Sequence, residues 1–269
     1  MFDLEKNFRL TVNELMICLE INGKSSSKAL LSRYITDSLS MKMVLAFFQE
    51  KYISIENFAE QHHVSYSVAY KVLQGLKRNL KKYQIFFEKR KLTGNPKNIR
   101  LFLYNLFNST EISVEKLYAL PIIIKTEKMV KNLNRYYPLS AYEKKKLFHF
   151  LAINLLSEQE DSLDIVNNQP LFFSDIGFFY LKGVLETESV VFICKILSWL
   201  YLHDKLDQKY LRKKEDETIE WLNERFIESF EKRFKRLPKE TRKSIQNELT
   251  KIHFKLLHYT LNKSDEFPL

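Results

Sequence analysis

The sequence predicts a mainly α-helical protein, interrupted once by a short two-stranded ribbon. Three observations carry that expectation. Glycine supplies only 5 of 269 residues and proline 6, where average usage would supply roughly 7% glycine, so turn-rich all-β folds are poorly supported. Apolar residues recur at the three-to-four-residue spacing of amphipathic helices along most of the chain. After Tyr83 the period switches from 3.6 to about 2, the signature of strands. Hydrophobic residues make up 45% of the chain, enough to build packed cores and to exclude wholesale disorder.

Taken in order, residues 1–40 read as an N-terminal lead and connector: alternating, weakly amphipathic sequence, a turn at Gly23-Lys24-Ser25-Ser26-Ser27, and a short helix over 28–36. Apolar residues at helical spacing from Met41 to Phe48 predict the next helix, with Ser40 as its N-cap. Ser54 caps a helix beginning at Ile55, and His62-His63-Val64 forms a turn. Ser65 caps a third helix over 66–82, with Val68, Val72, Leu73, Leu76 and Leu80 as its core stripe. Gln84-Ile85-Phe86-Phe87-Glu88 and Arg90-Lys91-Leu92 then alternate as two strands joined by a basic turn. Gly94-Asn95-Pro96 ends the ribbon, and Pro96 suits the start of the apolar helix over 98–108.

Residues 41–105 thus have the layout of a winged helix-turn-helix domain. Two helices form a platform that presents the third to a major groove, and the ribbon reaches the backbone or minor groove beside it. Small Ala59 lets the crossing helices approach, and Val64 plugs the turn. Two positions run against local preference. His63 stands where the turn favours glycine, and Gly75 inside the third helix costs about 1 kcal/mol relative to alanine.

Charge sharpens this reading. Between Lys71 and Arg100 lie ten cations and a single acid, Glu88, so that segment carries +9 of the chain's net +10. A solvated helix face mixes both signs, whereas a block of one sign repels itself and suits an anionic polymer. On the third helix the core stripe leaves Tyr66, Ser67, Tyr70, Lys71, Gln74 and Lys77 outward, with Ser65 at the cap and Lys89, Arg90 and Lys91 on the wing. Gln and Lys can bond base edges, and Ser and Tyr hydroxyls suit bases or phosphates. The alternative for Tyr66 and Tyr70 is packing on neighbouring helices. Arg78, Lys81 and Lys82 are expected to line the DNA backbone or remain solvated.

Beyond 110 the chain predicts helices at about 121–135, 140–157, 170–183, 188–203, 210–236 and 239–262, with 158–169 as an acidic loop. Leu139-Ser140-Ala141-Tyr142-Glu143 and Leu237-Pro238-Lys239-Glu240 read as capped starts. Cys18 and Cys194 form no C-x-x-C pair and read as reduced, buried thiols. The N-terminus lacks a signal-peptide layout, and the most apolar stretch, 190–202, contains Lys195 and is too short to span a bilayer. These features predict a soluble, cytoplasmic protein. No glycine-rich phosphate loop, nucleophile elbow, paired acid–base carboxylates or metal-ligand cluster occurs, so neither an enzyme, a cofactor nor a metal is expected.

The strings Ser54-Ile55-Glu56-Asn57-Phe58-Ala59-Glu60 and Val64-Ser65-Tyr66-Ser67-Val68-Ala69-Tyr70-Lys71 resemble the helix-turn-helix of the Mga family. The exit Leu92-Thr93-Gly94-Asn95-Pro96-Lys97-Asn98-Ile99-Arg100-Leu101-Phe102-Leu103 is similar to that family too. The resemblance covers about 30–108 and is pattern-level beyond. Mga-like proteins are stand-alone virulence and carbohydrate-linked transcription regulators of Gram-positive bacteria. They usually carry two winged modules, two helical domains resembling phosphotransferase-system regulation domains (PRDs), and a domain like a sugar-transport component. By this likeness the chain starts near the end of the first module and ends before the last domain.

The resemblance further implies a PRD-like bundle over 106–205 and a second, incomplete PRD-like segment over 206–269, both suited to homodimerisation. It also implies phosphotransferase-system proteins as partners, with His253, His258 and, less well placed, His149 as phosphorylation candidates. The expected function is therefore a double-stranded-DNA-binding transcription regulator with a recognition helix at 66–82 and a basic wing at 85–93. The alternative is a truncated interaction module that heterodimerises with a full-length regulator and binds DNA weakly. RNA binding through the same patch is disfavoured, since a helix cannot read the deep, narrow major groove of RNA.

Overall fold

Serine caps set where three helices of the N-terminal unit begin. In the computed structural model, which describes residues 8–12, 17–21, 27–110, 112–157, 190–206 and 217–259, two compact units form. Among the described residues, the first takes those up to 95 together with 105–110 and 112–117, and the second 96–104 and those from 118 to 259. The division falls inside one helix.

The first unit opens with a two-stranded antiparallel hairpin, β1 (Phe8–Val12) and β2 (Ile17–Ile21), which pairs Leu10 with Leu19. It accounts for the alternation at the N-terminus. Helix α1 (Ser27–Asp37) follows. Helix α2 (Leu39–Phe48) is capped by Ser38, whose Oγ accepts the Met41 N–H at 3.1 Å. This corrects the expected cap at Ser40: the helix starts two residues sooner, and Ser40 lies in its first turn. Helix α3 (Ile55–Gln61) is capped by Ser54 and helix α4 (Tyr66–Lys81) by Ser65, as the sequence predicts, with Oγ accepting from Asn57 N–H at 3.2 Å and from Val68 N–H at 3.3 Å.

The core of this unit is built by Met41, Met43, Val44 and Phe47 of α2, Ile55, Phe58 and Ala59 of α3, and Ala69, Leu73 and Leu80 of α4. The hairpin β3 (Ile85–Glu88) and β4 (Lys91–Gly94) closes it from one side. Ile85 and Phe87 point inward while Glu88 is exposed, so a period of 2 buries one face. The Phe47 ring stacks on Tyr52 at 4.2 Å and meets Phe87 edge-on at 4.9 Å, locking α2 to the hairpin. Helix α5 (Pro96–Asn108) begins at its proline and is the helix the division crosses. Its C-terminal Phe107 packs edge-on against Phe48 of α2 at 5.2 Å. A single turn, α6 (Val114–Leu117), was not expected.

In the second unit, α7 (Leu120–Tyr136), α8 (Ala141–Ser157) and α9 (Val190–Leu202) share one core. Leu133 and Met129 of α7, Leu147, Phe150 and Leu151 of α8, and Ile193, Ile196, Leu197, Trp199 and Leu200 of α9 are all buried in it. The Trp199 indole N–H donates to the Tyr104 hydroxyl at 3.3 Å. The predicted capped start of α8 is a full capping box: Ser140 N–H donates to Glu143 Oε2 at 2.7 Å and Glu143 N–H to Ser140 Oγ at 3.3 Å. Lys205 adds an ion pair at 2.9 Å, and these partners hold the Glu143 carboxyl down at about 2.

Helices α10 (Glu217–Arg233) and α11 (Lys239–Tyr259) pack as a pair. Arg242 bridges Glu224 and Glu231 of α10, and buried Asn223 donates to Thr250 Oγ1 at 2.8 Å. The predicted helix over 170–183 and loop over 158–169 lie outside the described residues, as do the side chain of Cys18 and residues 210–216 of the expected 210–236 helix. Cys194 is a buried free thiol, and burial raises its pKa. Among the described residues no helix is long and apolar enough to cross a membrane, and no cluster of His, Cys, Asp and Glu could hold a metal.

Candidate nucleic-acid interface

Helix α4 is held by its small and apolar side and presents the rest. Ala69 has no exposed surface, and Leu73 and Leu80 sit below it on the same face. At 3.6 residues per turn, Ser67, Lys71, Gln74 and Arg78 then form one stripe on the side opposite that core, and all four are exposed. A second stripe, Tyr66, Tyr70 and Lys77, flanks it. The two tyrosine rings stack on each other, with centroids 6.1 Å apart and planes 13° apart, and are 51% and 45% exposed. They thus lie on the outer surface of the first turns of the helix. Ser65 uses its Oγ lone pair on the cap and keeps its O–H to donate.

The periodicity places Val68 in the core, and the structure corrects this: it is 43% exposed. The reason is the neighbour. Ala69, not Val68, takes the fully buried position of that turn, and Val68, one residue and about 100° earlier on the helix, faces outward. Val68 is therefore a surface residue that the apolar-stripe reasoning places inside, whereas Arg78, expected on the DNA backbone or in solvent, is exposed. Tracing both helix edges from Ala69 would have found Val68.

The turn between α3 and α4 is tight. Val64 N–H donates to Ala59 O at 3.0 Å, and His63 takes a left-handed backbone with φ +52°. That conformation costs a non-glycine residue about 1 kcal/mol, so the sequence's odd histidine is a strained one.

The wing is strained in the same way. Glu88 pairs with Lys91 across a two-residue loop in which Lys89 and Arg90 both have positive φ, +44° and +68°. Asn-Gly is the favoured pair for such a turn. Here two exposed cations occupy it, and Lys91 beside them is half-buried in β4. The base of the hairpin is fixed by Asn95 N–H donating to Gln84 O at 2.8 Å and by Gly94 at φ +115°. A Cβ at Gly94 would lie 2.0 Å from Gln84 O, so only glycine fits.

The histidines singled out by sequence lie elsewhere. His149 is fully buried in α8, and its Nδ1 shares a 3.0 Å hydrogen bond with the Tyr118 hydroxyl. Burial, and then the nearby Lys145 charge, push its pKa down to about 4, and burial raises that of Tyr118. His253 is half-buried in α11 with Nδ1 2.7 Å from Asn223 Oδ1. The side chain of His258 lies outside the described residues.

A three-helix platform, an outward polar stripe on its last helix and a hairpin with a cationic tip define a winged helix-turn-helix domain. Residues 23–107 match the family described as the Mga helix-turn-helix domain. The chain is Mga-like over that span, which takes in α1 as well as the wing. No curated protein and no solved structure matches the chain.

Proposed function

We propose that this protein is a cytoplasmic transcription regulator that binds duplex DNA through residues 65–91 and acts by binding, not catalysis. The observation that carries the reading is the exposed stripe of Ser67, Lys71, Gln74 and Arg78 on α4, paired with a wing that tolerates backbone strain to hold Lys89 and Arg90 at its tip. In this reading the first turns of α4 enter the major groove, where Gln74 reaches base edges, while Ser65, Lys71, Lys77 and the wing cations fix register on phosphates. A Lys71→Ala/Arg90→Ala chain is expected to bind a random-sequence duplex at least tenfold more weakly in an electrophoretic shift at fixed salt, at about 1.4 kcal/mol per tenfold. Equal binding by the two chains would remove the module from the DNA.

One winged domain reads one half-site, so specific binding calls for two copies. The surface that supports dimerisation runs along α10 to the residue just past its end, where Leu222, Phe226, Phe230 and Phe234 recur every four residues and are 38–72% exposed. The same ridge favours the second reading, an interaction module that pairs with another regulator. Sedimentation of the wild type and of Phe226→Glu/Phe230→Glu separates them. A wild-type homodimer that the double change dissociates supports the first. A monomer in both supports the second.

Phosphotransferase-system proteins belong to the proposal as partners that would phosphorylate a histidine. His253 would accept at Nε2, since Nδ1 is engaged by Asn223. Transfer to His149 would require the second unit to open.

A further inference from the structure

Gly75 sits in the interior of α4, where glycine destabilises a helix relative to alanine. Nothing inside the molecule asks for it. Its backbone is not in the left-handed region, and a Cβ built there would meet no atom within 4 Å. In a chain with only five glycines, one is thus placed where neither conformation nor packing uses it.

Its surroundings are specific. The positions that adjoin it on the helix surface, three and four to either side, are Val72, Lys71, Arg78 and Asn79, and Lys82 follows on the same side at the C-cap. Val72 is half-buried, the other four are exposed, and none is an acid. The glycine therefore makes a shallow recess of bare main chain with three cations around it, next to the outward stripe.

We infer that a DNA strand comes closest to the recognition helix at Gly75, with its sugar–phosphate backbone seated against the main chain of α4 there. The inference rests on the DNA-binding reading and adds to it a contact defined by a missing side chain. Three cations around one recess match the charge of a phosphate, whereas a base edge would leave them unsatisfied. Glycine lets a backbone approach a ligand where any Cβ would hold it off.

The test uses the full chain, with Gly75→Ala and Gly75→Leu, read by thermal unfolding and by affinity for a panel of duplexes of differing sequence. Both variants are expected to melt a few degrees higher, because both residues are better helix formers. Affinity is expected to fall stepwise with side-chain size, roughly tenfold for alanine and further for leucine. Higher melting with unchanged affinity would overturn the contact at Gly75 while leaving the DNA-binding reading intact. A loss confined to particular duplex sequences would overturn the backbone seat in favour of a base edge. Failure of the wild type itself to bind would overturn both.

Discussion

At the scale of single residues, the chain carries strain and burial in places that make distinct forecasts. His63 holds a left-handed backbone in the helix-turn-helix turn, so His63→Gly is expected to stabilise the first unit by about 1 kcal/mol in chemical denaturation. A loss of stability would mean that the imidazole contributes more than its backbone costs. Gly94 is the opposite case. With Gln84 O only 2.0 Å from where a Cβ would stand, Gly94→Ala is expected to cost more than about 2 kcal/mol, or to unseat the wing. His149 forecasts a pH dependence. Its folded pKa, near 4, lies below the ordinary 6.5, so as pH falls between these values the unfolded chain takes up a proton that the folded chain refuses. Stability of the second unit should therefore drop on acidification from about pH 6.5 to 4, by up to ~1.4 kcal/mol per pH unit. His149→Gln should flatten that slope, and an unchanged slope would assign it to other groups.

At the scale of elements, the wing and the recognition helix divide stability from function. The Lys89-Arg90 loop takes two positive φ angles that Asn-Gly would adopt without cost. Lys89→Asn/Arg90→Gly is accordingly expected to raise the melting temperature while weakening binding to duplex DNA; a variant that gains stability and binds as well as the wild type would leave the tip without a role. Elements were legible from sequence where one local signal dominated. The Ser54 and Ser65 caps and the Ser140–Glu143 box each fix a boundary by a hydrogen bond between near neighbours, and the period switch after Tyr83 marks a strand that buries alternate residues. What sequence reading missed depended on tertiary contact. Val68 faces outward because Ala69 beside it takes the buried position, and α2 begins at Leu39 because Ser38, not Ser40, accepts the Met41 N–H. The short N-terminal strands pair with each other through main-chain bonds that no single alternating segment announces.

At the scale of the molecule, charge is the most legible property, because it needs no fold to be counted: +9 of +10 lies between Lys71 and Arg100. Folding adds its arrangement. The cations of α4 that follow the apolar stripe are turned to one side, and those of the wing are gathered at a tip. A surface built this way should release counterions when it meets DNA. The measurement that tests this most directly is the salt dependence of binding, by fluorescence anisotropy of the full chain with a random-sequence duplex, beside Lys71→Ala/Arg90→Ala. With about 0.9 counterions released per phosphate neutralised, log K against log salt should fall with a slope of roughly −3 to −6, and the variant's slope should be shallower by about 2. Absence of binding even at low salt, or identical slopes for the two chains, would contradict DNA recognition by this domain.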